Sequence, residues 1–195
     1  MYMKKVGIFI DGLNVRNRLN ECGWEEFFDV RFLAEQLTGP RELVSALYYH
    51  PAPNAEQLGK ERYSFERAYL ERVAKGESVS VPPGAYMAKR TRECYGKQAP
   101  TLCSGKEIVY WTEKQTDVLL ASDLVYMAAV NAIDVAVVAS ADADIVPAIR
   151  RCRQLDVSVE LLRFRAALPR LYGLEQVATS FRRARPAYFR PYGSN

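Results

Sequence analysis

The chain has 195 residues and a mass of 22.1 kDa, the size of one domain with at most a small appendage. Apolar residues make up 49% of it, so a core can be buried and disorder is excluded as the ground state. The net charge of +4 conceals a split: from Arg163 onward there are seven arginines and one acid, Glu175, while the rest carries 20 bases against 22 acids. A basic end on a slightly acidic body suits a polyanionic partner, although basic tails also serve plain solubility.

No apolar run approaches the roughly 20 residues of a membrane helix. The opening MYMKKVGIFIDGLN sets two lysines before a short apolar run, Val6 to Ile10. That run is too short for a signal-peptide core and no small-residue cleavage site follows it, so it reads as the first strand of a cytoplasmic protein. The cysteines, Cys22, Cys94, Cys103 and Cys152, form no CxxC pair, and His50 is the single histidine. A structural zinc site would have to be gathered from scattered ligands. Buried free thiols are the simpler reading, with Cys94 and Cys103 flanking a loop.

In chain order, Val6–Ile10 is continuous and β-branched, the pattern of a strand covered on both faces. Asp11-Gly12 breaks it, and a helix runs from Leu13 to about Asn20. A short helix over Arg31–Gln36 stops at Thr-Gly-Pro, 38–40. A strand spans Glu42–Tyr49. Residues 55–75 carry helical spacing up to Gly76. Ser78–Ala88 reads as a strand interrupted at Pro82-Pro83-Gly84, 89–105 as a basic loop, and Glu107–Trp111 as a short edge strand. An amphipathic helix covers Gln115–Asn131, with a cap expected at Thr116. Asp134–Ser140 is a purely apolar strand, Asp144–Leu155 a helix, Ser158–Leu162 a strand, and Leu168–Val177 a helix. Strands alternating with helices predict an α/β fold with a mostly parallel sheet between helical layers. The division expected is a domain over 1–180 and a basic, aromatic tail over 181–195.

The acids fall at element ends. Asp11 follows the first apolar strand, and Asp142 and Asp144 follow the other. In an open parallel sheet, functional groups collect at the carboxyl ends of strands near the switch in strand order. Asp117 opens the long helix, where the helix N-terminus favours a carboxylate. Carboxylates within mutual reach repel, and a cation relieves the repulsion. All-oxygen ligation suits Mg²⁺ or Mn²⁺ rather than zinc, and such an ion supports phosphodiester hydrolysis. With one histidine, cleavage by paired imidazoles is unavailable. Each acid also has a plainer role, as a turn residue at Asp11, as caps at Asp142 and Asp144, or as a first-turn acid at Asp117. Three element ends carrying acids together favour the metal site. Asp123 lies about 120° around the helix from Asp117 and is carried as a further metal candidate or a solvated acid. Asn14 and Ser140 stand ready to orient an acid or meet substrate, and Lys114, Arg182, Arg183 and Arg185 to meet phosphate.

Three stretches resemble a known family. VGIFIDGLNV at 6–15, EKQTDVLLASDLVYMA at 113–128 and VAVVASADADIVPAIRRCRQLDVSVEL at 135–161 are similar to the NYN domain, in the LabA-like, DUF88 group with a PIN-like fold. The resemblance implies a three-layer α/β/α ribonuclease using Mg²⁺ or Mn²⁺, with Asp11, Asp117, Asp142 and Asp144 as catalytic and metal-holding acids, supported by Asn14 and Ser140. Asp123 matches a commonly acidic position. Two departures stand out: Ala141 where glycine is usual, and Ile145 where an aromatic is usual.

The function expected is therefore hydrolysis of single-stranded or structured RNA, with no membrane partner and with pairing into a homodimer left open. The alternative is a non-catalytic RNA-binding regulatory module that keeps the fold, its tail aromatics Phe181, Tyr188, Phe189 and Tyr192 stacking on bases. A phosphoryl-aspartate enzyme ranks last, because Leu13 stands where a second acid would be needed. No P-loop sequence occurs.

Overall fold

The computed structural model describes residues 3–76, 78–92, 107–164 and 173–194. Cys94, Cys103 and most of the expected loop over 89–105 lie outside these residues, as does the start of the helix expected from Leu168.

Two strands form the centre. β1 (Lys5–Asp11) and β6 (Val135–Ala139) are parallel neighbours, Val6 opposite Val135 and Ile10 opposite Ala139. Both are buried along almost their whole length, as runs without polar alternation must be. β2 (Glu42–Pro51) pairs in parallel with β1 on the other side, and β7 (Ser158–Arg163) with β6. The short β3 (Val79–Ser80) pairs with β2, β4 (Pro83–Arg92) continues beside the end of β2, β5 (Glu107–Lys114) returns antiparallel to β4, and β8 (Ser180–Arg183) closes the far edge. The strand order is β5-β4-β2-β1-β6-β7-β8, with β3 on β2.

Helices cover both faces. Val6, Ile8 and Ile10 of β1 pack with residues of α1 (Gly12–Glu21), α2 (Val30–Thr38) and α4 (Lys60–Ala74). Phe9, between them, packs on the opposite face with α5 (Thr116–Ala129), α6 (Val146–Gln154) and α7 (Leu174–Val177). The alternation along β1 thus separates two cores, and the expected three-layer α/β/α arrangement is present. No helix among the described residues is long and apolar enough to cross a membrane.

Several elements differ from expectation. The helix over 55–75 is two helices, α3 (Ala55–Leu58) and α4, because Gly59 sits at φ 75°, ψ 163°, a region that ends a helix and that favours glycine. The interrupted strand over 78–88 is two strands, split before Pro83. The strand expected over 107–111 extends to Lys114. Asp144 lies in a 3-10 turn, Ala143–Ile145, that leads into α6. The segment expected to be a tail begins inside the sheet, as β8, and continues against the core. Phe189 is 7% exposed and meets Phe28, Trp24 and Phe164, and Tyr192 meets Tyr69 edge to face. The Arg190 carbonyl accepts from the Asp29 amide, and the Tyr192 amide donates to Phe27. The aromatics Phe189 and Tyr192 therefore hold the domain together and are not a free stacking surface, whereas Phe181 is exposed.

Candidate metal centre

The site forms where β1 and β6 end side by side. Asp11 is the last residue of β1 and the N-cap of α1, accepting from the Asn14 amide at 3.0 Å. It shares the sheet face of Phe9, the face that α5 and α6 cover. Gly12 is required here by close approach: a Cβ would stand 2.7 Å from the Tyr48 ring and 2.8 Å from the Tyr49 carbonyl.

A lattice of hydrogen bonds ties the two strand ends together. Ser140 Oγ donates to Asp11 Oδ2 at 2.9 Å and accepts from the Asp142 amide at 3.1 Å. The Ala141 amide donates to Asn14 Oδ1 at 3.1 Å. Asp142 Oδ1 accepts from the Asp144 amide at 2.8 Å, so Asp142 caps the 3-10 turn as well as facing the site. Ser140 thus meets Asp11 through its hydroxyl, whereas Asn14 meets it through the backbone amide and spends its side chain on the loop after β6.

Asp117 arrives from the side. α5 begins at Thr116, and its cap is Gln115 at φ 81°, not Thr116 as expected. Thr116 is buried in the first turn, its methyl side under Gly84, and its hydroxyl has no partner among the described residues. The left-handed Gln115 turns the chain sharply from β5 into the helix, which is why capping chemistry at Thr116 was not the signal to follow.

The electrostatics connect the four acids. Asp11 is 7% exposed, and its carboxyl is pushed up to about 6, chiefly by burial and further by Asp117 and Asp142, against the lowering hydrogen bonds from Asn14 and Ser140. Asp117 is also raised, by burial first and then by Asp142 and Asp144, with Lys114 opposing. Each acid therefore feels at least one other, and Lys114 stands close enough for its charge to act on Asp117. Among the described residues no three acid, histidine or cysteine side chains close into a tight ligand set. Four like charges at oxygen-only positions, held apart yet within electrostatic reach, fit a hard cation that keeps part of its water shell better than a closed zinc cage.

Other expected residues fall elsewhere. Asp123 accepts from the Tyr49 hydroxyl at 3.0 Å, which ties α5 to β2. Tyr49 is pushed well up by burial and by Asp123. Arg182 departs from a substrate role: its guanidinium donates to the Gln36 and Leu37 carbonyls and pairs with Glu160 at 3.0 Å. It binds β8 to the end of α2, whose carbonyls need donors. Arg183, the last residue of β8, and Arg185, beyond it, are exposed.

A buried ionic cluster that no local pattern in the chain announces lies behind the site. Arg16, 5% exposed, reaches His50 Nε2 at 2.8 Å, Glu66 at 2.9 Å and Glu26 at 3.3 Å. Since Arg16 can only donate, His50 Nε2 accepts and Nδ1–H donates to the Pro51 carbonyl. Burial and Arg16 push His50 down to about 4, so it is neutral. His50 and Glu66 stand 34 and 50 positions from Arg16 in the chain, which leaves no local signal.

A parallel sheet in three layers with acids at the carboxyl ends of its central strands is the arrangement of PIN-like proteins. The NYN domain model matches residues 5–189, and the chain belongs to the NYN domain family. NYN domains are generally nucleases that act on RNA, and PIN-like nucleases typically use divalent metals. A crystal structure of a protein of unknown function from Vibrio parahaemolyticus is similar in fold, with a TM-score of 0.61 at 20% identity over 96% of each chain. No curated protein matches.

Proposed function

We propose that this protein is a ribonuclease that hydrolyses RNA phosphodiester bonds at the pocket of Asp11, Asp117, Asp142 and Asp144 with Mg²⁺ or Mn²⁺. The observation that carries the reading is Asp11, a buried carboxylate raised to about 6 in the company of Asp117 and Asp142. Such a group is costly unless a cation stabilises its charged form. The bound cation would activate water and neutralise charge on the phosphate.

The chain's own residues supply the rest. Ser140 and the Asn14 amide fix the orientation of Asp11, and Asn14 fixes the loop after β6 that presents Asp142. Lys114, exposed beside Asp117, meets a substrate phosphate. Arg183 and Arg185 lie on the same edge of the sheet as the ends of β6 and β7 and can meet a strand as it leaves the pocket. Cys22 and Cys152 are free thiols, in keeping with a cytoplasmic setting.

The test is incubation of purified protein with mixed RNA and DNA in Mn²⁺, with the product ends sequenced. RNA is cut, cutting stops in excess chelator, and Asp11→Asn abolishes it. Activity that survives both treatments would overturn the reading, and salt-sensitive RNA binding without cleavage in any metal would favour a non-catalytic binding module.

A further inference from the structure

Arginines gather where β7 and β8 end, and the fold uses only some of them. Arg163 pairs with Glu175 at 3.6 Å, and Arg182 with Glu160 at 3.0 Å. Arg183 and Arg185 are exposed and meet no acid among the described residues. With Ala184, Pro186 and Trp24 they line a cavity of about 240 Å³.

Trp24 is set there by the end of α1. Gly23 takes the left-handed position at φ 71°, the Trp24 amide donates to the Leu19 carbonyl at 2.9 Å, and the Gly23 amide donates to that of Asn20 at 3.0 Å. This pair of bonds closes a helix in a Schellman turn and fixes the residue that follows the glycine. The indole then packs on Phe164 and Phe189, with ring centroids 6.4 Å and 5.8 Å away. Those two rings are buried, whereas Trp24 is only half-buried. The core thus holds the indole from one side, and the ring borders the cavity beside two cations that the fold does not use.

The register puts this cavity on the edge that carries the acids. Val138 of β6 is opposite Leu161 of β7, and Arg163 of β7 is opposite Arg183 of β8. Counting forward, Arg183 is level with Ser140, the residue that donates to Asp11. β8 is the second strand from β6, roughly 10 Å at about 4.8 Å per strand. That is the length of about three nucleotides at about 3.4 Å each. Asp11 shares the sheet face of Phe9, and Trp24 packs against the cluster on the other face. A strand joining the two passes over the ends of β6 and β7.

We propose that the cavity between Trp24 and Arg183–Pro186 is a subsite for one nucleotide of a single RNA strand, about three nucleotides from the bond at the acids. The ligand class rests on the nuclease reading above. Trp24 stacks on the base, and Arg183 and Arg185 meet the flanking phosphates, the two components of single-strand binding. Stacking on an indole accepts every base, so the subsite grips the strand without reading its sequence.

The test separates stacking from cutting. In a Trp111→Phe background Trp24 is the only tryptophan, so emission reports on its ring alone. A single-stranded RNA of about 12 nucleotides, titrated in chelator, quenches that emission. By fluorescence anisotropy with the same RNA end-labelled, Trp24→Leu weakens binding about tenfold, the share of one stacked base. Arg185→Gln weakens it about fivefold at about 0.1 M salt and flattens the slope of log affinity against log salt by about 0.7, one phosphate contact on a single strand. Arg185→Lys restores the slope, and Arg182→Gln, whose charge Glu160 holds, binds as the wild type does. Unchanged Trp24 emission at saturating RNA, or equal losses from Arg182→Gln and Arg185→Gln, overturns the subsite even where RNA is still cut. Absence of RNA binding overturns it as well. Quenching with the expected slopes but without cleavage in any metal keeps the subsite and sinks the nuclease reading alone.

Discussion

Two regions of this domain bury charge, and they do it in opposite ways. Behind the sheet edge, Arg16 is buried with Glu66 and Glu26 as partners and His50 as a neutral acceptor, and Arg62 completes the cluster at 2.8 Å from Glu66. Burial pushes Glu66 up, but the hydrogen bond and charge of Arg16 more than offset this, and Glu66 is held below its ordinary value. A few residues away, Asp11 is buried with neutral donors and with other acids, and its carboxyl is pushed up. The first cluster satisfies its charges within the chain. The second sets its acids beside one another and beside neutral donors, with Lys114 as the cation that acts on Asp117 among the described residues. Charge left unbalanced at one place and balanced carefully at another is what distinguishes a site from a structural ionic cluster.

The largest expected effect comes from breaking the balanced cluster. Arg16→Met leaves Glu66 buried without its partner and costs about 3–5 kcal/mol in urea unfolding, because an uncompensated buried charge remains. The unbalanced site responds in the other direction. Asp11→Asn stabilises the metal-free protein at neutral pH by up to about 3 kcal/mol, the free energy that goes with moving an ionisation from 3.8 to about 6. Unfolded Asp11 releases its proton near its ordinary 3.8 and folded Asp11 near 6. Between those values only the folded chain holds the proton, so the wild type loses stability as pH rises through that window. The advantage of Asp11→Asn is therefore absent at about pH 4 and complete above about pH 7 in thermal melts. His50 works the opposite way: it is protonated near 6.5 when unfolded and near 4 when folded, so stability is lost as pH falls through that range. His50→Gln removes that acid-side loss, which melts between pH 4 and 6.5 would register as a flatter profile.

A smaller effect follows from the residue that orients the acids. Ser140→Ala removes the donor to Asp11 and the acceptor for the Asp142 amide, at a cost of about 1–2 kcal/mol. On the proposed function RNA cleavage falls about tenfold or more, since partners of metal-holding carboxylates carry that much of the activity. Smallest is Arg182→Gln. It loosens β8 from α2 by about 1 kcal/mol or less and leaves RNA affinity, read by fluorescence anisotropy, unchanged.

The contrast between the regions also separates what the sequence showed from what it hid. The central strands were legible because both are short, continuous and apolar, the pattern of a strand covered on both faces, and the acids at their ends were legible because a parallel sheet gathers strand ends. Asp117 was legible as a helix start, although its cap is a left-handed Gln115 for which no residue pattern exists. β8 was hidden because Ser-Phe-Arg-Arg has no strand signature: it is an edge strand, mostly exposed, whose place is decided by pairing with β7. Arg182 looked like a phosphate ligand because a basic run gives no hint of which member meets a helix end. The Arg16 cluster was hidden for a different reason. Its members are distant in the chain, and only the packing of α1, β2 and α4 brings them together. The tail aromatics belong to the same class, since aromatic spacing alone does not distinguish a core contact from an exposed stacking surface.

On the proposed function, a divalent cation offsets the negative charge of the acid pocket. Direct binding of Mn²⁺, followed by the loss of the free-ion electron paramagnetic resonance signal, tests it without reference to turnover. Saturable binding is expected of the wild type, lost in Asp11→Asn and weakened in Asp117→Asn, with Arg182→Gln binding as the wild type does. Equal Mn²⁺ binding by the wild type and Asp11→Asn, or none by either, would contradict it.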